Sequence, residues 1–267
     1  MSKLLLALAA ILGFLPAALW PLRRESAAAA PVFLALLAVA VAGPAAYVAV
    51  EELPGPWRSG FSASLWITVA ASAALFAGVC LLAPPARGLA PLMFGYLALL
   101  ALGAAVWAGA PAATRPALEL GGWLGVHIVF SVLAYALATV AAVAGAAVFV
   151  KQRALKRKRP GRLSRALPPV AEAERLQVRL LALAGGVLGL DILIGMATEY
   201  AASGVLLRFE HKPLLSLLAF AVIVGLLALH VRTGVRGRGA ARGVLIAYLL
   251  LTLGYPGVKF VTDVLLS

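Results

Sequence analysis

The side chains in this sequence best suited to chemistry are three histidines and one carboxylate set deep in an apolar stretch. His127 lies in Trp123-Leu124-Gly125-Val126-His127, about one helical turn inside an apolar run. His211 sits in Arg208-Phe209-Glu210-His211-Lys212, where a polar connector enters the next apolar run but one. His230 closes that same run in Ala228-Leu229-His230-Val231-Arg232. Neutral imidazole is a metal ligand and a proton carrier near pH 7, and at a membrane rim it also serves as a plain hydrogen-bonding anchor. Spacing decides which of the three can cooperate. From 211 to 230 a helix rises about 28 Å. Two axial ligands of one haem iron must bring their nitrogens within about 4 Å, since each bond is near 2 Å. His230 therefore cannot share an iron with either other histidine, whereas His127 and His211 are expected at the same depth and can.

Asp191, in Gly189-Leu190-Asp191-Ile192, falls near the middle of another apolar run. A carboxylate there costs about 3 kcal/mol or more on insertion scales. It is expected to face protein, face water or be protonated, and it is the natural candidate for a proton or cation site. Glu199 and Tyr200 end the same run as a solvated rim. Cys80 is the single cysteine, in Gly78-Val79-Cys80-Leu81, so no internal disulfide or CxxC site exists and a packing role is expected. No Walker A, HExxH, GxSxG or GxGxxG pattern is present, so no catalytic residue is assigned and an enzyme is not favoured.

The elements that must position these groups are membrane spans. Hydrophobic residues make up 63% of the 267 positions and charged residues 12%, with a mean hydropathy of +1.02. A soluble domain is usually about 45–50% apolar and about 25% charged. Chains near 300 residues still expose about a quarter of their unfolded surface, so a soluble core cannot absorb the excess. Eight apolar runs emerge, at 3–22, 32–50, 61–83, 89–108, 123–150, 179–198, 213–231 and 243–262, each long enough for a bilayer about 30 Å thick. The expected fold is an all-α polytopic membrane protein. Arg23 and Arg24 follow the first run instead of preceding it, which fits a retained first span and not a cleaved signal. Pro16, Pro44 and Pro256 fall within spans and are expected to kink them.

Charge sets the orientation. With the N-terminus outside, the inner segments hold two Lys and Arg residues in 23–31, one in 84–88, ten in 151–179 and four in 232–242, which is 17 of the 23. The positive-inside rule favours that arrangement, with both termini on the outer face. The net charge of +13 then reflects topology and anionic headgroups, and nucleic acid is not an expected partner. The inner connector 151–178 joins Lys156-Arg157-Lys158-Arg159 to Leu167-Pro168-Pro169-Val170 and Glu172-Ala173-Glu174-Arg175. It reads as a surface amphipathic segment held against lipid, or as a partner-docking segment. Gly185-Gly186-x-x-Gly189 and Ala142-x-Ala144-Gly145-Ala146 read as close helix-packing faces.

From residue 123 onward an ordered set of segments carries a family resemblance. These are WLGVHIVFSVLAYALATVAAV, LKRKRPGRLSRALPPVAEAER, LGLDILIGM, HKPLLSLLAFAVIVGLLALHVRTGVRGRGAARG and LTLGYPGVKFV. In order, spacing and topology they resemble the cytochrome c assembly membrane-protein family of the CcsA and HemX type, closest to its YpjD-like inner-membrane subgroup. Residues 1–122 match in hydropathy alone, which divides the chain into a four-span region 1–122 and a four-span assembly-like region 123–267. The resemblance implies a haem-handling protein that presents haem at the outer face. His127 matches the family's HVxxSxxxY histidine, an axial haem ligand in the CcsA type. His230 matches the histidine before the Arg/Gly-rich inner segment, and Arg236, Gly237 and Arg238 match its GWRGR-like element, with Val235 where tryptophan is usual. The tryptophan-rich WWD segment of the CcsA type is absent. Residues 201–210 contain no tryptophan, and His211-Lys212 stands about where that segment ends.

Three functions are therefore expected, in order. The first is a haem-handling, cytochrome c assembly-type membrane protein with cofactor-binding candidates His127, His211 and His230, beside Lys212, Arg236 and Arg238. The second is a transporter or transport accessory for a metal ion or proton through Asp191. The third is a scaffold that docks partners through 151–178. The expected location is a bacterial inner membrane, and the expected partners are the lipid bilayer and other assembly or membrane proteins.

Overall fold

A computed structural model describes residues 3–23, 30–54, 57–58, 60–110, 114–115, 122–158, 160–205, 211–234 and 237–265. Among these, eight helices are long and apolar enough to cross a membrane, as the hydropathy pattern predicts. They are α1 (Lys3–Leu22), α2 (Pro31–Glu52), α3 (Phe61–Leu82), α4 (Pro84–Val106), α5 (Gly122–Lys156), α6 (Val170–Ser203), α7 (His211–Thr233) and α8 (Arg238–Leu265). The one departure from all-α among the described residues is a two-residue antiparallel ladder, where Trp57–Arg58 of one connector pairs with Thr114–Arg115 of another.

The prolines act where the sequence places them. Proline cannot donate a backbone hydrogen bond, and its ring crowds the carbonyl four residues earlier. α1 accordingly breaks at Gly13, just past Leu12, the residue whose carbonyl Pro16 would crowd. α2 continues through Pro44 and then widens into a π turn at Val48–Glu52. α8 widens in the same way over Leu253–Gly257, around Pro256.

α5 is the hub of the bundle. From Ala134 to Gly145 every residue is buried, so this stretch is apolar on all sides and needs helices all round it. α6 packs along most of α5, α8 lies against both α5 and α7, and α3 covers another face. The small-residue motifs do what their spacing predicts. A Cβ at Gly185 would come within 2.8 Å of Ile223 Cγ2, and one at Gly189 within 3.1 Å of Phe220. These glycines let α7 seat its large side chains on α6.

One contiguous core runs from the first spans into the last. Phe14 stacks on Phe94 at 5.4 Å, and Tyr47 on Trp66 at 4.0 Å. Phe260 of α8 reaches Phe61 and Trp107 at 5.4 and 5.3 Å.

The connector expected over 151–178 is shorter than its charge suggests. α5 continues to Lys156 and α6 already begins at Val170, leaving one short helix, Arg162–Ala166, between them. Lysine and arginine are good helix formers, so both helices outlast their apolar stretches. Lys158 then turns the chain with a left-handed φ of 51°. Lys151 Nζ donates to the carbonyls of Ser164 (2.6 Å) and Leu167 (2.8 Å), which folds the connector back onto α5. Pro168 closes it against α4, where a Cβ on Gly88 would stand 3.1 Å from the proline Cδ.

Candidate functional site

His127 and Ser131 are one turn apart on α5, and Asp191 and Gly195 are one turn apart on α6. The i, i+4 spacing puts each pair on a single helix face, and the packing of α5 on α6 brings the two faces together. His127 Nδ1 lies 2.8 Å from Asp191 Oδ1. The oxygen stands off the direction in which an Nδ1 proton points, so this is a close polar contact and not an aligned hydrogen bond. The Ser131 hydroxyl donates between both carboxylate oxygens, 2.8 Å from each. Asp191 is buried at 7% exposure. Of the three expectations for Asp191, that it face protein, face water or be protonated, the structure shows it facing protein, against a hydroxyl and an imidazole.

Gly195 makes room for the ring. A Cβ there would stand 3.0 Å from His127 Cε1 and 3.4 Å from Nδ1, so any larger residue would displace the imidazole. The His127 side chain keeps 32% of its surface exposed although Nδ1 is buried. Nε2 is therefore the nitrogen left for a ligand. A carboxylate behind the other ring nitrogen fixes the tautomer and raises ligand basicity, as in second-shell partners of metal-bound histidines. The first third of α5 is also less enclosed than the rest, with Trp123, one turn before His127 on the same face, exposed.

The remaining candidates separate by position. α7 opens at His211, at the same end of the bundle as the start of α5, because each of these helices runs antiparallel to α6. The side chains of His211 and Lys212, and all of Arg236, lie outside the described residues. His230 ends α7 at the opposite end, beside the start of α8. There Arg238 places its guanidinium 5.5 Å from the centre of the Phe149 ring. His127 and Asp191 are thus brought together, and His230 and Arg238 are held apart from them.

Sequence reasoning passed over two groups. Ser131 was visible only as the serine of the family motif, and Gly195 carried no signal beyond standing one turn after Asp191. The second omission is a polar cluster inside the bundle. Tyr248 Oη lies 2.6 Å from Tyr96 Oη, 3.1 Å from Tyr135 Oη and 3.1 Å from Thr139 Oγ1, and Tyr135 Oη is 3.1 Å from Thr252 Oγ1. These tyrosines come from α4, α5 and α8, far apart in sequence, so no local pattern announces them.

Among the described residues no three His, Cys, Asp or Glu side chains gather as a metal site. One imidazole suffices where a macrocycle brings four equatorial ligands of its own. A histidine backed by a carboxylate and keeping part of its ring exposed is compatible with a haem.

These features define an all-α polytopic membrane protein with a half-buried histidine paired to a buried carboxylate at one end of its bundle. The model of the family described as "Cytochrome C assembly protein" matches residues 2–266, and the chain belongs to that family. Membership carries a haem-related role in cytochrome c maturation. The chain is also 48% identical over 270 residues to a protein of Azospirillum brasilense described as an uncharacterized 28.8 kDa protein in the nifR3-like 5′ region, a match that covers 100% of this chain and 99% of that one. No solved structure matches it. The family match includes the first four spans, where the sequence had offered hydropathy alone.

Proposed function

We propose that this protein binds haem at the α5–α6 rim during cytochrome c assembly, with His127 Nε2 as the nitrogen that would hold its iron. The observation that carries the reading is the His127–Asp191 contact, with Ser131 holding the carboxylate. When bound, the iron would supply the redox and ligand-exchange chemistry that haem handling needs. The chain's own part is to present one oriented imidazole. Asp191 keeps the ring in the tautomer that frees Nε2, Ser131 fixes Asp191, and Gly195 leaves the ring its space. The excess of Lys and Arg at the other end supports placing this rim on the outer face of a bacterial inner membrane. His211 and Lys212 are at the matching end of α7, where a second ligand or a partner for a haem propionate would be useful. Other assembly components are the partners this role calls for.

The test is an absorption spectrum of the purified protein, as isolated and after addition of haem. We expect a haem Soret band that shifts or disappears in His127→Ala and is unchanged in Cys80→Ala. A wild-type protein that neither carries haem nor takes it up overturns the reading.

A further inference from the structure

The opposite end of the bundle carries a site that a histidine at the other rim does not explain. Phe149, Val150, Arg153 and Lys156 succeed one another on α5 at steps of one, three and three, which puts these four on one helix face over about two turns, and Arg157 follows directly on its last residue. Arg238, the first residue of α8, joins them, and the six residues line an open cleft of about 430 Å³.

Three observations point to an anion. No carboxylate lines the cleft, and none of its four cations belongs to an ion pair among the described residues. Glu174 stands by the backbone of Gly237, 3.6 Å from where a Cβ would be, and is not part of the lining. Second, Arg238 occupies the first turn of a helix that has no acid there and no side-chain cap. A cation at the positive pole of a helix is unfavourable in isolation, and an anion in front of it reverses the sign. Third, the base of the cleft is apolar. Phe149 and Val150 belong to the apolar part of α5 and directly precede Lys151, its first charged residue, so the cleft lies where headgroups meet acyl chains.

We propose that this cleft binds the phosphate of an anionic phospholipid. Arg153, Lys156, Arg157 and Arg238 hold the headgroup, and the acyl chains lie along the apolar surface below. Free phosphate shares the charge chemistry, but it would leave Phe149 and Val150 uncovered. Arg238, whose guanidinium lies over the Phe149 ring at 5.5 Å from its centre, brings a planar fork of donors that suits phosphate oxygens.

The experiment uses the full chain, purified in detergent and stripped of lipid. Binding is followed by native mass spectrometry with phosphatidylglycerol, diphosphatidylglycerol and phosphatidylcholine, and by competition with inorganic phosphate. We expect saturable retention of the anionic lipids, little of phosphatidylcholine, and weak competition by millimolar phosphate. Arg238→Gln should weaken binding about fivefold, and Arg153→Gln with Arg157→Gln about 25-fold, on the scale of one surface charge each. Arg162→Gln with Arg165→Gln, on the same connector but outside the cleft, should change it by less than about twofold. The double variant stands in if Arg238→Gln fails to fold. Equal weakening by the connector variant would reduce the effect to general surface charge and overturn the site. Equal retention of phosphatidylcholine, or inorganic phosphate competing as well as lipid binds, would overturn the phospholipid as its ligand.

Discussion

Asp191 Oδ1 lies 2.8 Å from His127 Nδ1 but off the ring's N–H direction, while the Ser131 hydroxyl sits 2.8 Å from both oxygens of the same carboxylate. The carboxylate is therefore fixed first, by serine, and the imidazole is tethered to it second. A ring held in this way keeps a defined partner for Nδ1.

Removing the imidazole alone leaves a buried carboxylate with one hydroxyl for company. His127→Ala should destabilise the protein by about 1–3 kcal/mol, because the buried carboxyl group loses one of its two polar partners. Asp191→Asn replaces the carboxyl group at nearly constant size. In the double variant the loss should fall short of the sum of the single losses by about 1 kcal/mol, as measured by unfolding in mixed micelles. Additive losses would mean that the two side chains do not act as a pair. Asp191→Asn alone should keep haem binding but weaken it by about 10- to 100-fold.

Gly195→Ala tests the ring's space without touching either partner. The added methyl would stand 3.0 Å from His127 Cε1, so the imidazole must move. Alanine is about 1 kcal/mol better than glycine in a helix, so stability should hold or rise slightly. Haem affinity should fall by roughly tenfold, with a shifted Soret band. Unchanged affinity would show that the ring position against α6 is immaterial to the site.

How much of this was legible in the sequence follows from range. The eight spans were, because hydropathy is summed over about 20 residues and the bilayer imposes the length. The break at Gly13 before Pro16 and the packing of Gly185 and Gly189 were also local, and they are found where expected. The ends of α5 and α6 were not, because hydropathy stops at the membrane surface while helix propensity does not. His127 and Asp191 could each be picked out as costly polar groups. Their contact could not be, because it depends on the rotation of α5 against α6, which no spacing within either helix encodes. The tyrosine cluster was hidden for the same reason on a larger scale, since Tyr96 and Tyr248 are 152 residues apart.

Tyr248→Phe should show what that cluster is for. Its hydroxyl meets those of Tyr96, Tyr135 and Thr139, tying α8 to α4 and α5 inside the bundle. Interhelical hydrogen bonds in membranes are worth about 0.6 kcal/mol on average and up to about 1.7. Without that hydroxyl none of the three hydrogen bonds can form, and we expect about 1–2 kcal/mol of destabilisation in mixed micelles with no change in the haem spectrum. A spectral change with stability intact would reassign these tyrosines from holding the bundle together to serving the haem site.

Lys151 offers the last test, at the far end of α5. Its ammonium group donates to the carbonyls of Ser164 and Leu167, so a single side chain holds both ends of the turn that returns the chain to α6. Lys151→Met keeps much of the apolar stem and removes both donors. The two carbonyls must then find water, and the connector is freed to open without α5 itself unfolding. Hydrogen–deuterium exchange should therefore quicken by about tenfold or more at the amides of Arg165 and Leu167, which bond to Gly161 and Leu163. Exchange across Ala134–Gly145 should stay as slow as in the wild type. If the whole of α5 loosens instead, Lys151 supports the bundle and not the connector, and the folded-back turn must be held by Pro168 against α4.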